Sequence, residues 1–577
     1  MIKLIKKYLK GLALLCAFLA PLMMSVEVLM DLQQPTLMSH IVDYGVAKGD
    51  LPYVLSTGVR MILYALMGLA GGAGCSILAV YASVKMGGEM RKNLFAKIQT
   101  LSFVELDELK TASLTTRMTN DVMQVQNMFM MMLRTMVRTP LLCIGGIIMS
   151  FMLSPTLAIV LCVVLPLLIV FTVIVITKTI PMFTHLQFQI DRINTVMREN
   201  LLGVRVVKAF TMEARQYDRF TNVNNNLTNT GIRAQSATFL LMPIVTLLMN
   251  FSVVAILWYG GNLESAGKLE AGKIMAFVNY MIQITNSLVN LVNMIINFSR
   301  AQASVKRIEG VFASQPSITE PQKPIIPEGY DIEFAHVSFR YGTGDYVLKD
   351  ISFTLKHGQK VGIIGTTGCG KSTLVSLIPR LYDANEGSVS IGGVDVRDIP
   401  GPVLRQKVGV VLQESLLFSG TVGENLRYGN PDATDEVVHE AAAVSEAEEF
   451  IVRLPDKLET HVEQRGRNFS GGQKQRLSIA RTLLQKPEIL ILDDSTSAVD
   501  LATEAKMQAS IRKSMAGSTI ILIAQRISTV MDCDLILVLD ESGRLSAAGD
   551  HRQLMGTSEL YHSIAVSQLG EEAAVYA

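Results

Sequence analysis

From Thr139 to Thr177 the chain runs for 39 residues without an Asp, Glu, Lys, Arg or His. A membrane-spanning helix needs about 20 apolar residues, so a run this long has to hold two of them. The break is expected at Ser154-Pro155, where a missing N–H and a restricted preceding residue favour a tight turn. Other runs free of Asp, Glu, Lys and Arg cover 61–84, 234–263 and 274–299, and 11–26 continues past Glu27. That makes six expected spans, all before residue 301. The second half of the chain has no such run.

The composition agrees, with nearly half the residues apolar and only 18% charged, against roughly 25% in soluble domains. A formal net charge of +1 gives no reason to expect a nucleic-acid partner. The start, MIKLIKKYLK followed by GLALLCAFLA, could be a signal peptide. A basic interfacial helix leading into the first span fits the longer apolar pattern better. Lysines and arginines set the orientation. Residues 85–117 hold six and 178–233 hold eight, while the connectors at 46–53, 154–155 and 264–273 hold one, none and two. Both termini and the two long connectors are therefore expected on the cytoplasmic side of a cell membrane. Cys16, Cys75, Cys143, Cys162, Cys369 and Cys533 show neither a disulfide framework nor zinc spacing, and read as small apolar fillers.

Three parts are expected: a helical membrane domain over 1–302, a linker over 303–330 and a second domain over 331–577. The linker holds PSITEPQKPIIPEG, four prolines without a helical period. Beyond it, DIEFAHVSF, KVGIIG, GVVLQ, EILILDD, TIILIAQ and LILVL alternate with helical stretches, the pattern of a largely parallel α/β sheet. In the first half, GGEMRKNLFAKIQTL and DRINTVMRENLLGVRVVKAF carry helical spacing. The membrane helices should continue through them and meet the second domain.

GTTGCGKST follows the strand KVGIIG and opens a helical stretch, matching G-x-x-x-x-G-K-[ST] in its proper context. Gly365, Thr366, Thr367, Gly368, Cys369 and Gly370 can turn backbone N–H groups toward phosphate, at a helix start of positive potential. Lys371 can reach the outer phosphates of ATP, the Ser372 hydroxyl can hold Mg²⁺, and Thr373 completes the run. Asp493 ends an apolar strand, where an unpaired carboxylate would be costly and a magnesium ion would relieve the cost. RNFSGGQKQRLSIARTLL makes a second helix N-terminus able to bind phosphate. One nucleotide does not need two cradles, so the second should cap a nucleotide held by another subunit.

In these motifs and their order, over nearly all 577 residues, the chain resembles a half-transporter of the ATP-binding cassette exporter family, type IV fold. The resemblance implies two nucleotide domains that sandwich two ATPs, each between one P-loop and the other chain's signature motif, here Phe469, Ser470, Gly471, Gly472 and Gln473. It implies that Tyr341 stacks on adenine and that Gln413 is a magnesium ligand sensing the membrane domain. Ser497-Ala498-Val499-Asp500 resembles the loop that crosses the dimer seam, and residues 102–120 and 199–210 resemble the coupling segments.

Two positions depart from the family pattern. Asp494 stands where the family has its catalytic Glu, and Gln525 where it has its switch His. Asp is about one C–C bond too short to hold the attacking water, and Gln offers no protonatable partner to the γ-phosphate. Losing a positioned base typically removes about 10²–10⁴ of the rate. The site then binds ATP and hydrolyses it slowly, while the signature motif, which serves the opposite site, is intact. This pattern resembles heterodimeric exporters of multidrug or lipid type, in which a second half-transporter chain completes the active site. A homodimer with two working sites, a nucleotide-gated channel or regulatory subunit, and an importer built on the exporter fold are the alternatives.

In the last span Asn279, Gln283, Asn286, Asn290, Asn293 and Asn297 repeat at spacings of 4, 3, 4, 3 and 4, so all six amides share one face. That stripe is roughly 27 Å long, close to the hydrocarbon thickness. It fits the lining of a water-accessible cavity for a small amphipathic substrate, or else hydrogen-bonding between helices. Glu27 and Asp31, four apart in the first span, are candidates to attract a cation or carry protons if they do not reach the outer headgroups. MFMMMLRTM (128–136) offers adaptable thioethers, for a drug site or for ordinary packing.

Overall fold

The computed structural model describes residue 5, residues 7–495 and residues 500–570. They fall into two compact units, one of Met1–Lys97 with Ala112–Ala313, the other of Ile98–Thr111 with Ser314–Ala577.

The first unit is helical. Leu12–His40, Leu51–Gln99, Thr135–Leu153, Pro155–Leu202, Leu241–Ser265 and Ala271–Ala313 occupy the six places where spans are expected. Among the described residues Leu12–Val46, Leu51–Gln99, Thr111–Leu153 and Pro243–Ser265 are long and apolar enough to cross a membrane, and Pro155–Phe171 is a shorter apolar stretch. The last helix carries the six amides, which dilute its apolarity. Ser154 and Pro155 make the expected turn, with the Ser154 side chain capping the helix that Pro155 starts. The charged connectors continue the helices to Gln99 and to Leu202. The final helix also runs past residue 302 to Ala313, and irregular chain begins at Ser314. Pro316 accounts for the stop, because the residue before a proline is pushed out of the helical region.

Helix packing in this unit uses the face opposite the amides. Phe277, Met281 and Ile284 are fully buried against Leu157, Leu161 and Ile256. Tyr280, on an adjoining position, donates to the Leu32 carbonyl at 2.6 Å.

Among the described residues the second unit forms β1 (Ile332–Phe339), β2 (Leu348–Leu355), β3 (Lys360–Gly365), β4 (Glu386–Ile391), β5 (Val394–Asp395), β6 (Val408–Val411), β7 (Gly420–Thr421), β8 (His461–Val462), β9 (Ile489–Asp493), β10 (Thr519–Ile523), β11 (Leu535–Leu539) and β12 (Leu545–Gly549). Six of them build a sheet of order β12-β11-β3-β10-β9-β6. All pairs are parallel except the edge strand β12. A sheet covered on both faces needs continuous apolar strands, and β9 and β10 are buried at every position. A separate antiparallel sheet joins β2 (Leu348–Leu355), β1 (Ile332–Phe339), β4 (Glu386–Ile391) and β5 (Val394–Asp395) in that order.

Candidate functional site

The register of the parallel sheet places the nucleotide motifs. Ile523 of β10 pairs with Ile363 of β3 on one side and with Asp493 of β9 on the other. The P-loop after β3 and the carboxylate ending β9 therefore share the C-terminal edge of the sheet, where α/β folds bind ligands. Gly365 and Gly370 have φ of 157° and 98°. A Cβ on Gly365 would meet the Leu539 carbonyl oxygen at 2.5 Å, so the turn needs glycine there.

The short helix Lys371–Ser376 starts at the end of this loop. Lys371 Nζ donates to the carbonyls of Gly365 and Thr366, both at 2.8 Å. The Ser372 hydroxyl donates to Asp493 Oδ1 at 2.9 Å. Asp493 is only 6% exposed, and burial pushes its carboxyl above the usual carboxylate range, with the charge of Asp494 adding to the rise. A buried carboxylate beside a hydroxyl suits Mg²⁺, which takes one or two protein oxygens and fills its remaining positions with phosphate and water. Ser372, Asp493 and the amide oxygen of Gln413 would hold it. Among the described residues no group of three His, Cys, Asp or Glu could hold a metal alone.

Asp494 sits in the left-handed region with φ 45°, a conformation aspartate tolerates better than most residues. Its Oδ2 accepts from Gln525 Nε2 at 2.7 Å and, at the longer distance of 3.5 Å, from Gln413 Nε2. Burial raises its carboxyl above the ordinary range, and the two amide contacts work against that rise. The two positions that depart from the family pattern are thus bonded to each other. Tyr341 is 44% exposed. Its hydroxyl lies 3.0 Å from that of Thr373, and its ring stands edge-on to Phe339 and Tyr382.

The second cradle is the start of helix Gly471–Leu483. Ser470 caps it: its hydroxyl accepts from Gln473 N at 3.3 Å and its own N–H donates to Gln473 Oε1 at 2.9 Å. This reciprocal capping box holds Gln473. Phe469 is buried edge-on against Phe450, whereas Ser470 and Gly471 are exposed. Asp500 caps the helix Leu501–Ser514 by accepting from Thr503 N at 3.0 Å. Ser497, Ala498 and Val499 lie outside the described residues.

Sequence reasoning did not single out Tyr382 or Asp107. Within the second unit the helix Phe103–Leu109 lies against Tyr382, whose hydroxyl donates to Asp107 Oδ2 at 2.7 Å and whose ring is 6.0 Å from that of Phe103. Burial, then the Asp107 carboxylate, raise the Tyr382 phenol well above its ordinary pKa. Ser102 and Glu105 also accept from the backbone N–H groups of Ile318 and Ser317.

Among the membrane residues, Asn279, Asn286 and Asn290 are exposed, while Gln283 and Asn297 are half-buried. The Asn293 side chain lies outside the described residues. Asn279 donates to Met275 O of its own helix at 3.0 Å, and Gln283 Oε1 is buried with no partner among the described residues. Glu27 and Asp31 are both paired with Arg138, through Nη1 at 2.8 Å and Nη2 at 2.9 Å. Helix rise puts Asp31 ~22 Å from Val46 and Arg138 ~24 Å from Ser154. Those distances carry the group far from the turns that end these helices. The methionines of 128–136 divide: Met128 is buried, whereas Met130, Met131, Met132 and Met136 are partly exposed.

Residues 17–288 match the family described as the ABC transporter transmembrane region, and residues 348–497 the family described as ABC transporter. An uncharacterized ABC transporter ATP-binding protein of Bacillus subtilis (strain 168) is 40% identical over 568 residues, covering 98% of both chains. A fatty acid ABC transporter ATP-binding/permease protein of Mycobacterium bovis is 32% identical over 475 residues, covering 82% of this chain and 75% of that one. A solved structure of a bacterial Atm1-family ABC exporter with ATP bound superposes with a TM-score of 0.78 at 26% identity, covering 97% of this chain and 99% of that one.

Proposed function

This chain belongs to the ABC transporter family as an exporter-type half-transporter, and we propose that it is the slow-site subunit of a heterodimeric, ATP-driven exporter. ABC exporters act as dimers, and the family's ATPase domain binds ATP, normally with Mg²⁺. In the proposed pair, Lys371 and the P-loop amides hold the phosphates of one ATP, Tyr341 packs on its adenine, and Ser372, Asp493 and Gln413 hold Mg²⁺. The ion would neutralise developing phosphate charge when bound. The helix start at Ser470–Gly472 faces the phosphates of the other ATP, whose hydrolysis relies on a second, different chain. Closure of the nucleotide domains opens the membrane domains outward, and the reset follows hydrolysis at the partner-completed site. The cargo is an amphiphile, a drug or a lipid; one relative is named for fatty acids. The protein resides in the cell membrane with the nucleotide domain in the cytoplasm.

The observation carrying this reading is the Gln525–Asp494 bond. Oδ2, the oxygen that would orient an attacking water, is already taken by an amide that cannot exchange a proton with phosphate. One feature favours the homodimer instead: burial makes Asp494 more basic than an ordinary carboxylate, which suits a general base. Native mass of the detergent-solubilised complex, pulled down through a tag on this chain from its own host, decides between the two. A second, different chain of similar size supports the heterodimer. A complex of two identical chains overturns it and leaves both sites to work through Asp494.

A further inference from the structure

A second charged group lies beside the Glu27–Arg138–Asp31 cluster, and it is unspent. The third span is broken at Arg134, between the helices Val122–Leu133 and Thr135–Leu153, where φ is −108° and ψ −78°. Neither proline nor glycine occupies the break. The carbonyl of Leu133 accepts from the Cys75 thiol of the neighbouring helix at 3.8 Å. The same helix packs closely on the first one through glycine: a Cβ on Gly71 would lie 2.8 Å from Met23 O, and one on Gly72 2.4 Å from Glu27 Oε2. The bonds from Arg134 N to Met130 O at 3.2 Å and from Arg138 N to Arg134 O at 2.9 Å carry the helix through this point, so the break is a one-residue distortion that leaves the Leu133 carbonyl to the Cys75 thiol.

Arg138 is engaged by both carboxylates. Arg134, one turn earlier, joins none of the ion pairs of the described residues, and its Nε is buried without a partner among them. Of the four charged side chains Glu27, Asp31, Arg134 and Arg138, Arg134 is the one without an ion-pair partner among the described residues, and an arginine inside a membrane span is a functional candidate by default. Next to Arg134 on its own side of the helix, Met130 and Met131 offer half-covered, adaptable apolar surface, while Met132 and Met136 fall on the opposite side.

We propose that the break at Arg134 is a headgroup site for an anionic amphiphile, with a carboxylate or phosphate held by Arg134 and an alkyl tail on the flanking methionines. The acid pair Glu27 and Asp31 keeps Arg138 out of that role and repels a second anion. This rests on the exporter reading and supplies its cargo class.

The test uses the whole complex in nanodiscs, without ATP, and radiolabelled twelve-carbon probes that differ only in the head: laurate, dodecyl phosphate, dodecylammonium and dodecanol. Saturable binding is expected for the two anions and not for the cation or the alcohol. Arg134→Gln should weaken laurate about ten- to a hundredfold, the worth of a charge-assisted hydrogen bond, and Arg134→Lys much less. If Arg134→Gln does not assemble, Asp31→Asn serves instead, and should tighten laurate about two- to threefold by removing a partly exposed negative charge. Equal saturable binding of dodecanol or dodecylammonium would overturn the proposal. So would a lowered Tm with unchanged laurate affinity, which assigns Arg134 to packing. The native mass measured on the same preparation reports on the heterodimer separately, so either idea can fail alone.

Discussion

The chain offers phosphate two helix starts of opposite character. The P-loop start is crowded: its lysine is bonded to loop carbonyls, and two carboxylates with raised pKa values stand beside it. The start at Gly471 is clear, with its cap satisfied internally and Ser470 and Gly471 open to a second body. One keeps its charge chemistry at home, and the other contributes only backbone dipoles and a hydroxyl. In the proposed heterodimer, residues of the first kind can drift, because the other chain does the hydrolysis. On the same proposal the second kind has to stay intact, because the partner's site is completed by it.

The sharpest way to break this contrast is Gly471→Glu, which puts a carboxylate on the open start. ATP turnover by the purified complex should fall about 10²–10³-fold, the scale of losing a preorganised donor to developing phosphate charge. Next comes a rescue: in that disabled background, Asp494→Glu with Gln525→His should raise turnover about 10²-fold, by restoring a reaching carboxylate and a protonatable partner. No rescue would mean that the crowded site is limited by something other than those two side chains. In the otherwise unaltered complex Asp494→Ala should change turnover less than about threefold, and a steady-state rate more than roughly tenfold lower would return catalysis to Asp494.

The smallest effect is thermal. The folded pKa values of Asp493 and Asp494 lie above their unfolded values, so the native state binds these protons more tightly. The resulting stability is present below the unfolded pKa, about 4, and is lost as pH rises through the raised folded values. In chelator-treated, nucleotide-free protein Asp494→Asn should therefore raise Tm at pH 7.5 by roughly one to a few degrees, and leave it unchanged near pH 4. A fall in Tm at pH 7.5 would mean that the carboxylate stabilises the site.

Legibility from sequence followed the locality of each feature. The P-loop, Asp493 and the Ser470 cap could be read because each function is written in a few consecutive residues, and the strands KVGIIG, EILILDD and TIILIAQ because burial on both faces leaves them apolar throughout. The antiparallel sheet of β1, β2, β4 and β5 was harder: LKDISFTL mixes polar and apolar positions, as one-sided strands do. Arg138 could have been suspected, because Arg134 and Arg138 repeat the four-residue spacing of Glu27 and Asp31 on another helix. Nothing local announced Tyr382 as the partner of Asp107, a contact across 275 residues. The break at Arg134 has no proline or glycine to mark it.

That same contact sets an order of events during synthesis. The helix Phe103–Leu109 belongs to the compact body formed with Ser314–Ala577, yet it leaves the ribosome long before Tyr382 exists. At about 5–20 residues per second, 275 residues take roughly 15–55 s. Through that interval two membrane helices are joined by a segment whose docking surface has not been made. A nascent chain stalled before Tyr382 should leave Phe103 open to chaperones and proteases, although every residue of the membrane unit has already been translated.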